Sequence, residues 1–86
     1  MSFIESNFLK AETIVWTLKE KPSNEELLLL YGLYKQATCG DVIESKPWSK
    51  GVKEIFKWNA WDILKGMSKV EAMKKYTAMV NKLKRG

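Results

Sequence analysis

The residues best suited to chemistry in this 86-residue chain are three tyrosines and two lysines: Tyr31, Tyr34 and Lys35 in one apolar segment, Lys57 in a second and Tyr76 in a third. Leu28, Tyr31 and Lys35 stand at i, i+3 and i+7, so a helix would set a leucine, a phenol and an ammonium along one face in rising order of polarity. That gradient suits an amphiphile with an anionic head. Each residue also has an ordinary structural role open to it: a tyrosine at the edge of a core, a lysine in solvent, Tyr76 packed on the helix that carries Tyr31.

Catalysis finds less support. The chain has no histidine, which excludes Ser–His and Cys–His nucleophile pairs, and neither the phosphate-cradling glycine–lysine loop nor the dinucleotide glycine pattern occurs. Carboxylates at Glu25, Glu26, Asp41, Glu44, Glu54, Asp62 and Glu71 fall where caps, turns and solvated faces use them, and no spacing singles out an acid–base pair. The single Cys39 forms no internal disulfide and, without histidine, no four-ligand zinc site, which fits a reducing compartment. No metal, cofactor or enzymatic activity is expected.

Four helical segments position these residues. The first, about Phe3 to Leu18, places Phe8, Ala11, Val15 and Leu18 at spacings of three and four. Pro22 breaks it by biasing Lys21 away from helical geometry. Ser23-Asn24-Glu25-Glu26 is a capping box with acidic residues where the dipole favours them, so a second helix starts near Asn24 and stops at Gly40. Its four consecutive leucines, Leu27 to Leu30, exceed a single amphipathic stripe and predict packing on more than one side. The stretch from Asp41 to Gly51 lacks helical spacing and reads as a long surface link. A third helix, about Val52 to Lys65, carries Phe56, Lys57, Trp58 and Trp61, with both tryptophans read as core residues. Gly66 stops it. Ser68-Lys69-Val70-Glu71 repeats the capping box and opens a fourth helix that ends among Lys82, Lys84 and Arg85. No strand pattern or repeat appears, so the fold class is all-α: one domain, residues 1–86, built as a four-helix bundle with its long link between the second and third helices.

With 45% hydrophobic residues the chain can bury a small core without staples. Fifteen Lys plus Arg against ten Asp plus Glu give a formal charge of +5, which favours an anionic partner. The opening Met1-Ser2-Phe3-Ile4-Glu5 lacks a basic, then apolar, leader pattern and has no glycine at position 2 for myristoylation, and no run is long enough to span a membrane. A soluble, monomeric, cytoplasmic protein is expected.

The run Tyr31-Gly32-Leu33-Tyr34-Lys35-Gln36-Ala37-Thr38-Cys39-Gly40-Asp41, preceded by Lys21-Pro22-Ser23-Asn24-Glu25-Glu26-Leu27, resembles the signature of the acyl-CoA-binding protein family. So do Lys57-Trp58-Asn59-Ala60-Trp61, Leu64-Lys65-Gly66-Met67-Ser68, Glu71-Ala72-Met73 and Tyr76, and the likeness runs from about Phe8 to Leu83. The resemblance implies an up-down-down-up bundle. It also implies a carrier and pool former that binds medium- to long-chain acyl-CoA esters without covalent chemistry. On this resemblance the Tyr31 phenol meets the 3′-phosphate of CoA, Lys35 and Lys57 neutralise that phosphate, and Tyr34 and Tyr76 lie near the nucleotide. The acyl chain is expected in a groove lined by residues such as Leu28 and the region around Ala11. Implied partners are the acyl-CoA ligand and, transiently, acyl-CoA-using enzymes or a membrane surface, with no nucleic acid.

Three positions depart from the family pattern. Trp16 stands where members often carry a basic residue that helps with the CoA head; either Lys19 substitutes for it or the contact is lost. Phe56 replaces a small residue before Lys57, which predicts a reshaped acyl groove and an altered chain-length preference. Trp48 sits in a Pro47-Trp48-Ser49 link where proline–glycine is usual, and it either adds apolar surface near the groove or covers the core. Two other functions fit the composition. A basic helical nucleic-acid-binding module also suits +5 with interleaved aromatics, although these lysines are scattered over several helices. A protein-interaction bundle would bind neither ligand.

Overall fold

The computed structural model describes residues 2–85. Its helices are α1 Phe3–Ile14, α2 Asn24–Cys39, α3 Val52–Asp62 and α4 Lys69–Arg85, and no strand occurs among the described residues. The capping box at Ser23 forms in full: its hydroxyl accepts from the Glu26 N–H at 3.1 Å, and its own N–H donates to the Glu26 carboxylate at 2.8 Å. At Ser68 the hydroxyl accepts from the Glu71 N–H at 3.0 Å. Gly40 closes α2 with φ 81° and ψ −153°, a region that only glycine occupies without strain.

Two helix ends differ from the sequence expectation. The α-helical part of α1 stops at Ile14 and tightens into a 3₁₀ turn over Val15–Thr17. The cause is local: a run of β-branched residues meets Thr17, whose hydroxyl donates back to the Ile14 carbonyl at 2.8 Å. Helix α3 likewise ends at Asp62, three residues before the expected Lys65, because Leu64 and Lys65 bond to carbonyls only three residues back, at 3.0 and 3.1 Å.

The pairing of residues gives the helix directions. Between α2 and α3 the neighbours Tyr31–Lys57, Gly32–Ala60 and Lys35–Trp61 climb together, so these helices run parallel. Between α2 and α4 the order reverses, with Tyr34 beside Tyr76 and the buried Gln36 donating to the Met67 carbonyl just before α4. Phe8 lies 6.2 Å from Tyr34 while Val15 and Trp16 share a depression with Leu27, so α1 runs against α2 and the topology is up-down-down-up. Parallel neighbours need a connection that travels the length of a helix, which is why the link from Gly40 to Gly51 is long. The two expected core tryptophans pin that link: Trp61 Nε1 donates to the Gly40 carbonyl at 2.8 Å, and Trp58 Nε1 to the Glu44 carbonyl at 2.9 Å. Trp61 is buried and Trp58 half-buried.

Helices α1 and α2 both pack on α4 and make little direct backbone approach to one another, while α3 packs on the far side of α2. Across the molecule the order is α1, α4, α2, α3, a flattened arrangement of 36 × 29 × 15 Å. The radius of gyration is 13.1 Å, against about 12 Å for a compact chain of this length. The core comprises Phe8 and Ala11 of α1, Leu30, Leu33 and Ala37 of α2, and Ala72, Tyr76 and Val80 of α4. At the end of α2 the Asp41 carboxylate accepts from Gln36 Nε2 at 2.7 Å and from the Gly66 N–H at 2.8 Å, tying the α2 terminus to the α3–α4 turn. These two hydrogen bonds, the backbone one first, hold the Asp41 pKa below its ordinary value.

Candidate ligand-binding site

Because α1 and α2 lean on α4 and not on each other, a cleft opens between them. It has a volume of about 870 Å³. Glu12, Val15 and Trp16 form one wall, the Leu18–Pro22 link closes the end, and Leu27, Leu30, Tyr31 and Tyr34 form the other wall. Tyr76 of α4 forms the floor, 5% exposed, with its ring edge-on to Phe8 at 5.1 Å and tilted to Tyr34 at 6.4 Å. Burial, then the neighbouring Glu12 and Tyr34, push the Tyr76 pKa up to about 12. Glu12 is itself raised by burial.

A smaller hollow of about 290 Å³ lies on the other side of Tyr31, lined by Lys35, Lys50, Glu44, Glu54, Trp58 and Trp61 among others. Tyr31 lines both depressions. The Lys57 ammonium stands 4.8 Å above the Tyr31 ring and 3.7 Å from Glu54, while the Lys35 ammonium stands 4.9 Å from the Trp61 ring. Half-exposed pairing of the Lys57–Glu54 kind is worth little and yields readily to a stronger anion. An aliphatic chain can lie in the larger cleft while lysines and a phenol meet a phosphate at its rim.

The sequence-selected residues divide over this geometry. Tyr31, Tyr34 and Tyr76 line the cleft, Lys35 lines the hollow, and Lys57 joins them through its position over Tyr31. Leu28, Ala11 and Phe56 line neither depression: Leu28 is half-buried, Ala11 is 2% exposed in the core, and Phe56 is 54% exposed on α3. Of the four adjacent α2 leucines, Leu27 and Leu30 reach the cleft, and with Tyr31 and Tyr34 they follow a three-four spacing. That spacing was readable, but choosing among four adjacent leucines required knowing on which side of α2 the helix α1 lies. Sequence reasoning also passed over Glu12, Leu18, Lys21 and Lys50. Of the three departures, Trp16 lines the cleft and is 88% exposed, and Trp48 is 74% exposed with the Lys46 ammonium 4.7 Å from its ring, so Trp48 does not cover the core.

Comparison with known proteins agrees with this geometry. A family profile described as "Acyl CoA binding protein" matches residues 5–80. The acyl-CoA-binding protein of Dictyostelium discoideum is 49% identical over 78 residues, covering 91% of this chain and 93% of its own. Acyl-CoA-binding protein homolog 1 of Caenorhabditis elegans is 48% identical over 77 residues, covering 90% of each. The crystal structure of Oryza sativa Acyl-CoA-Binding Protein 2 superposes with a TM-score of 0.87 at 42% identity, covering 93% of this chain and 89% of that one. With this fold, these motifs and these relatives, the chain belongs to the acyl-CoA-binding protein family.

Proposed function

We propose that residues 1–86 act as one domain that binds medium- to long-chain acyl-CoA esters without covalent chemistry, a cytoplasmic, monomeric carrier and pool former. The observation that carries this reading is the junction at Tyr31, where an apolar cleft meets a hollow bearing Lys35 and Lys50, with Lys57 overhead. The acyl chain enters the cleft between α1 and α2. Lys35, Lys57 and the Tyr31 phenol hold the 3′-phosphate, and Tyr34 flanks the nucleotide. About ten buried methylenes at ~0.8 kcal/mol each contribute up to ~8 kcal/mol, so the tail supplies much of the affinity and the head its specificity. Holding the ester in this way lowers the free concentration of a detergent-like molecule and presents it to the enzymes that use it.

Calorimetric titration tests the reading. Palmitoyl-CoA is compared with palmitate, free CoA and palmitoyl-CoA lacking the 3′-phosphate, and the series is repeated with Lys35→Ala. The expected result is one-to-one binding that weakens when either half of the ligand is missing. Losing one charge-assisted contact of about 1.5–3 kcal/mol weakens the variant roughly 10- to 100-fold. Absence of saturable binding with every acyl-CoA ester defeats the proposal. Duplex DNA in the same series tests the nucleic-acid alternative.

A further inference from the structure

The cleft between α1 and α2 is apolar along much of its length, with Val15, Trp16, Leu18, Leu27 and Leu30 on its walls. Glu12 is the one carboxylate among its lining residues, and it is half-buried. The ion pair found among the described residues, Lys57–Glu54, lies elsewhere, and the two cations that line the cleft, Lys19 and Lys21, belong to the link that closes its opposite end. Glu12 stands instead with two phenols, since its charge and Tyr34 both act on Tyr76. Phe8 holds these rings in place from within the core, stacked on Tyr34 at 6.2 Å and edge-on to Tyr76 at 5.1 Å. The result is a polar corner, fixed by packing, in an otherwise apolar cleft. A fully saturated chain laid against it strips water from a carboxylate and returns no hydrogen bond. A hydroxyl on the chain has both functions needed, donating to the carboxylate and accepting from a phenol.

We propose that Glu12, with Tyr76 beside it as a donor, is a specificity-determining residue that makes this cleft favour acyl-CoA esters whose chain carries a hydroxyl group, over fully saturated chains and over chains that end in a second carboxylate. The proposal rests on the acyl-CoA reading of the cleft. A second carboxylate meets a like charge where water is scarce. A saturated chain covers the Glu12 carboxylate, and the carboxylate relieves its lost hydration by taking up a proton. Binding of a saturated ester is therefore coupled to proton uptake at Glu12 and weakens as pH rises, whereas a hydroxylated ester leaves Glu12 ionised. The other titratable groups that face this cleft are Tyr31 and Tyr34 from α2, Tyr76 from α4, and Lys19 and Lys21 from the link, so a neutral replacement of Glu12 assigns the proton.

The test is calorimetry on the full chain at mildly acidic pH, in buffers of different ionisation enthalpy so that proton uptake is read together with affinity. The ligands are palmitoyl-CoA, its isomers hydroxylated near the thioester, at mid-chain and at the chain end, and hexadecanedioyl-CoA. Wild type is expected to bind one hydroxylated isomer roughly tenfold more tightly than palmitoyl-CoA, the low end for a hydrogen bond to a charged group because water competes at a half-buried site. It should also take up a fraction of a proton with palmitoyl-CoA and less with the preferred isomer. Glu12→Leu is expected to bind palmitoyl-CoA more tightly than wild type and to lose both the hydroxyl preference and the proton uptake. Glu12→Gln, which keeps the shape and an acceptor, should retain a reduced hydroxyl preference, lose the proton uptake and recover binding of hexadecanedioyl-CoA. If palmitoyl-CoA binds with its dependence on the 3′-phosphate but no isomer is preferred, or if preference and proton uptake survive in Glu12→Leu, the proposal is overturned and the acyl-CoA reading stands. Absence of saturable binding with every ester defeats both.

Discussion

Gly32 lies in the middle of α2, where alanine is intrinsically the better helix former by about 1 kcal/mol. Propensity alone therefore makes Gly32→Ala a stabilising change. The packing says the opposite. A Cβ at this position would stand 2.8 Å from the Ala60 carbonyl carbon and closer still to its oxygen, with Leu64 Cδ1 at 3.4 Å. The obstructing atoms are backbone atoms of α3, so no rotamer change relieves the overlap and α3 must move away from α2. Helix α3 has α2 as its helical neighbour and is tied to the Gly40–Gly51 link by the Trp61 and Trp58 indole hydrogen bonds, so it cannot move away without straining them. Overpacking of this kind costs about 1–3 kcal/mol, and backbone obstruction puts it at the upper end. Set against ~1 kcal/mol of propensity, the net loss is about 2 kcal/mol, or a fall in Tm of roughly 8–16 °C for a domain of this size. Urea denaturation followed by circular dichroism reads the change directly. Because Lys57 and Trp61 ride on α3, the same variant should also lose affinity for palmitoyl-CoA while palmitate binding is spared. An unchanged or raised Tm would refute the close-approach argument.

Leu27→Ala shortens a cleft wall and should weaken palmitoyl-CoA binding by about 1–2 kcal/mol while octanoyl-CoA loses less, as calorimetry with both esters will tell; equal losses would place the long chain elsewhere. Asp41 has a lowered folded pKa, so it binds fewer protons folded than unfolded; its stabilising effect is present above the ordinary carboxylate value and is lost as pH falls through the lowered one. The stability gap between wild type and Asp41→Asn should accordingly narrow across that acid window in denaturant titrations at stepped pH, and a gap independent of pH would contradict the hydrogen-bond assignment. Tyr76, raised from 10.0 to about 12, behaves in the opposite sense: the folded protein holds its proton longer, so stability falls as pH climbs through that interval. Ultraviolet titration of Tyr76→Phe against wild type should remove one phenolate transition near pH 12.

Much of this architecture was legible because local chemistry decided it. Pro22 with the Ser23–Glu26 box, and Gly40 with its positive φ, fix both ends of α2 without help from the rest of the fold. Ser68 does the same for the start of α4, whereas α3 ends at Asp62, ahead of Gly66. Tyr31, Tyr34, Lys35 and Lys57 could be picked out for a different reason: phenols and ammoniums recur on neighbouring helices, and the fold brings these four together around Tyr31, while Tyr76 is buried in the floor of the cleft. What local chemistry did not decide was illegible. The run Leu27–Leu30 offers every face of a helix, and one residue along the chain turns the side chain by 100°. Whether Leu27 or Leu28 meets the cleft therefore depends on where α1 lies, and α1 is placed by α4 at the other end of the chain. The burial of Tyr76 follows from the same fact, since it is the α4 residue over which α1 and α2 converge.

The placement of α4 between α1 and α2 also explains how so small a domain can leave a cleft of about 870 Å³ open. Closing α1 directly onto α2 would bury Leu27, Val15 and Trp16 and thicken a core that now contains eight residues, three of them alanines. That core is thin for an 86-residue chain. The fold leaves this apolar volume open, and on the function proposed above an acyl chain over Tyr76 would contribute the methylenes that the side chains do not. Binding and folding then draw on the same surface, so a ligand held at 100 times its Kd adds about 2.7 kcal/mol of stability, a large fraction of what such a domain has by itself. The wide, shallow arrangement that leaves this cleft open is thus the same feature that gives a flexible chain room to bind. On the function proposed above, the Tyr31 junction would decide which chains qualify, because an apolar tail without a phosphate-bearing head would fill the cleft and leave Lys35 and Lys57 with no anion to meet.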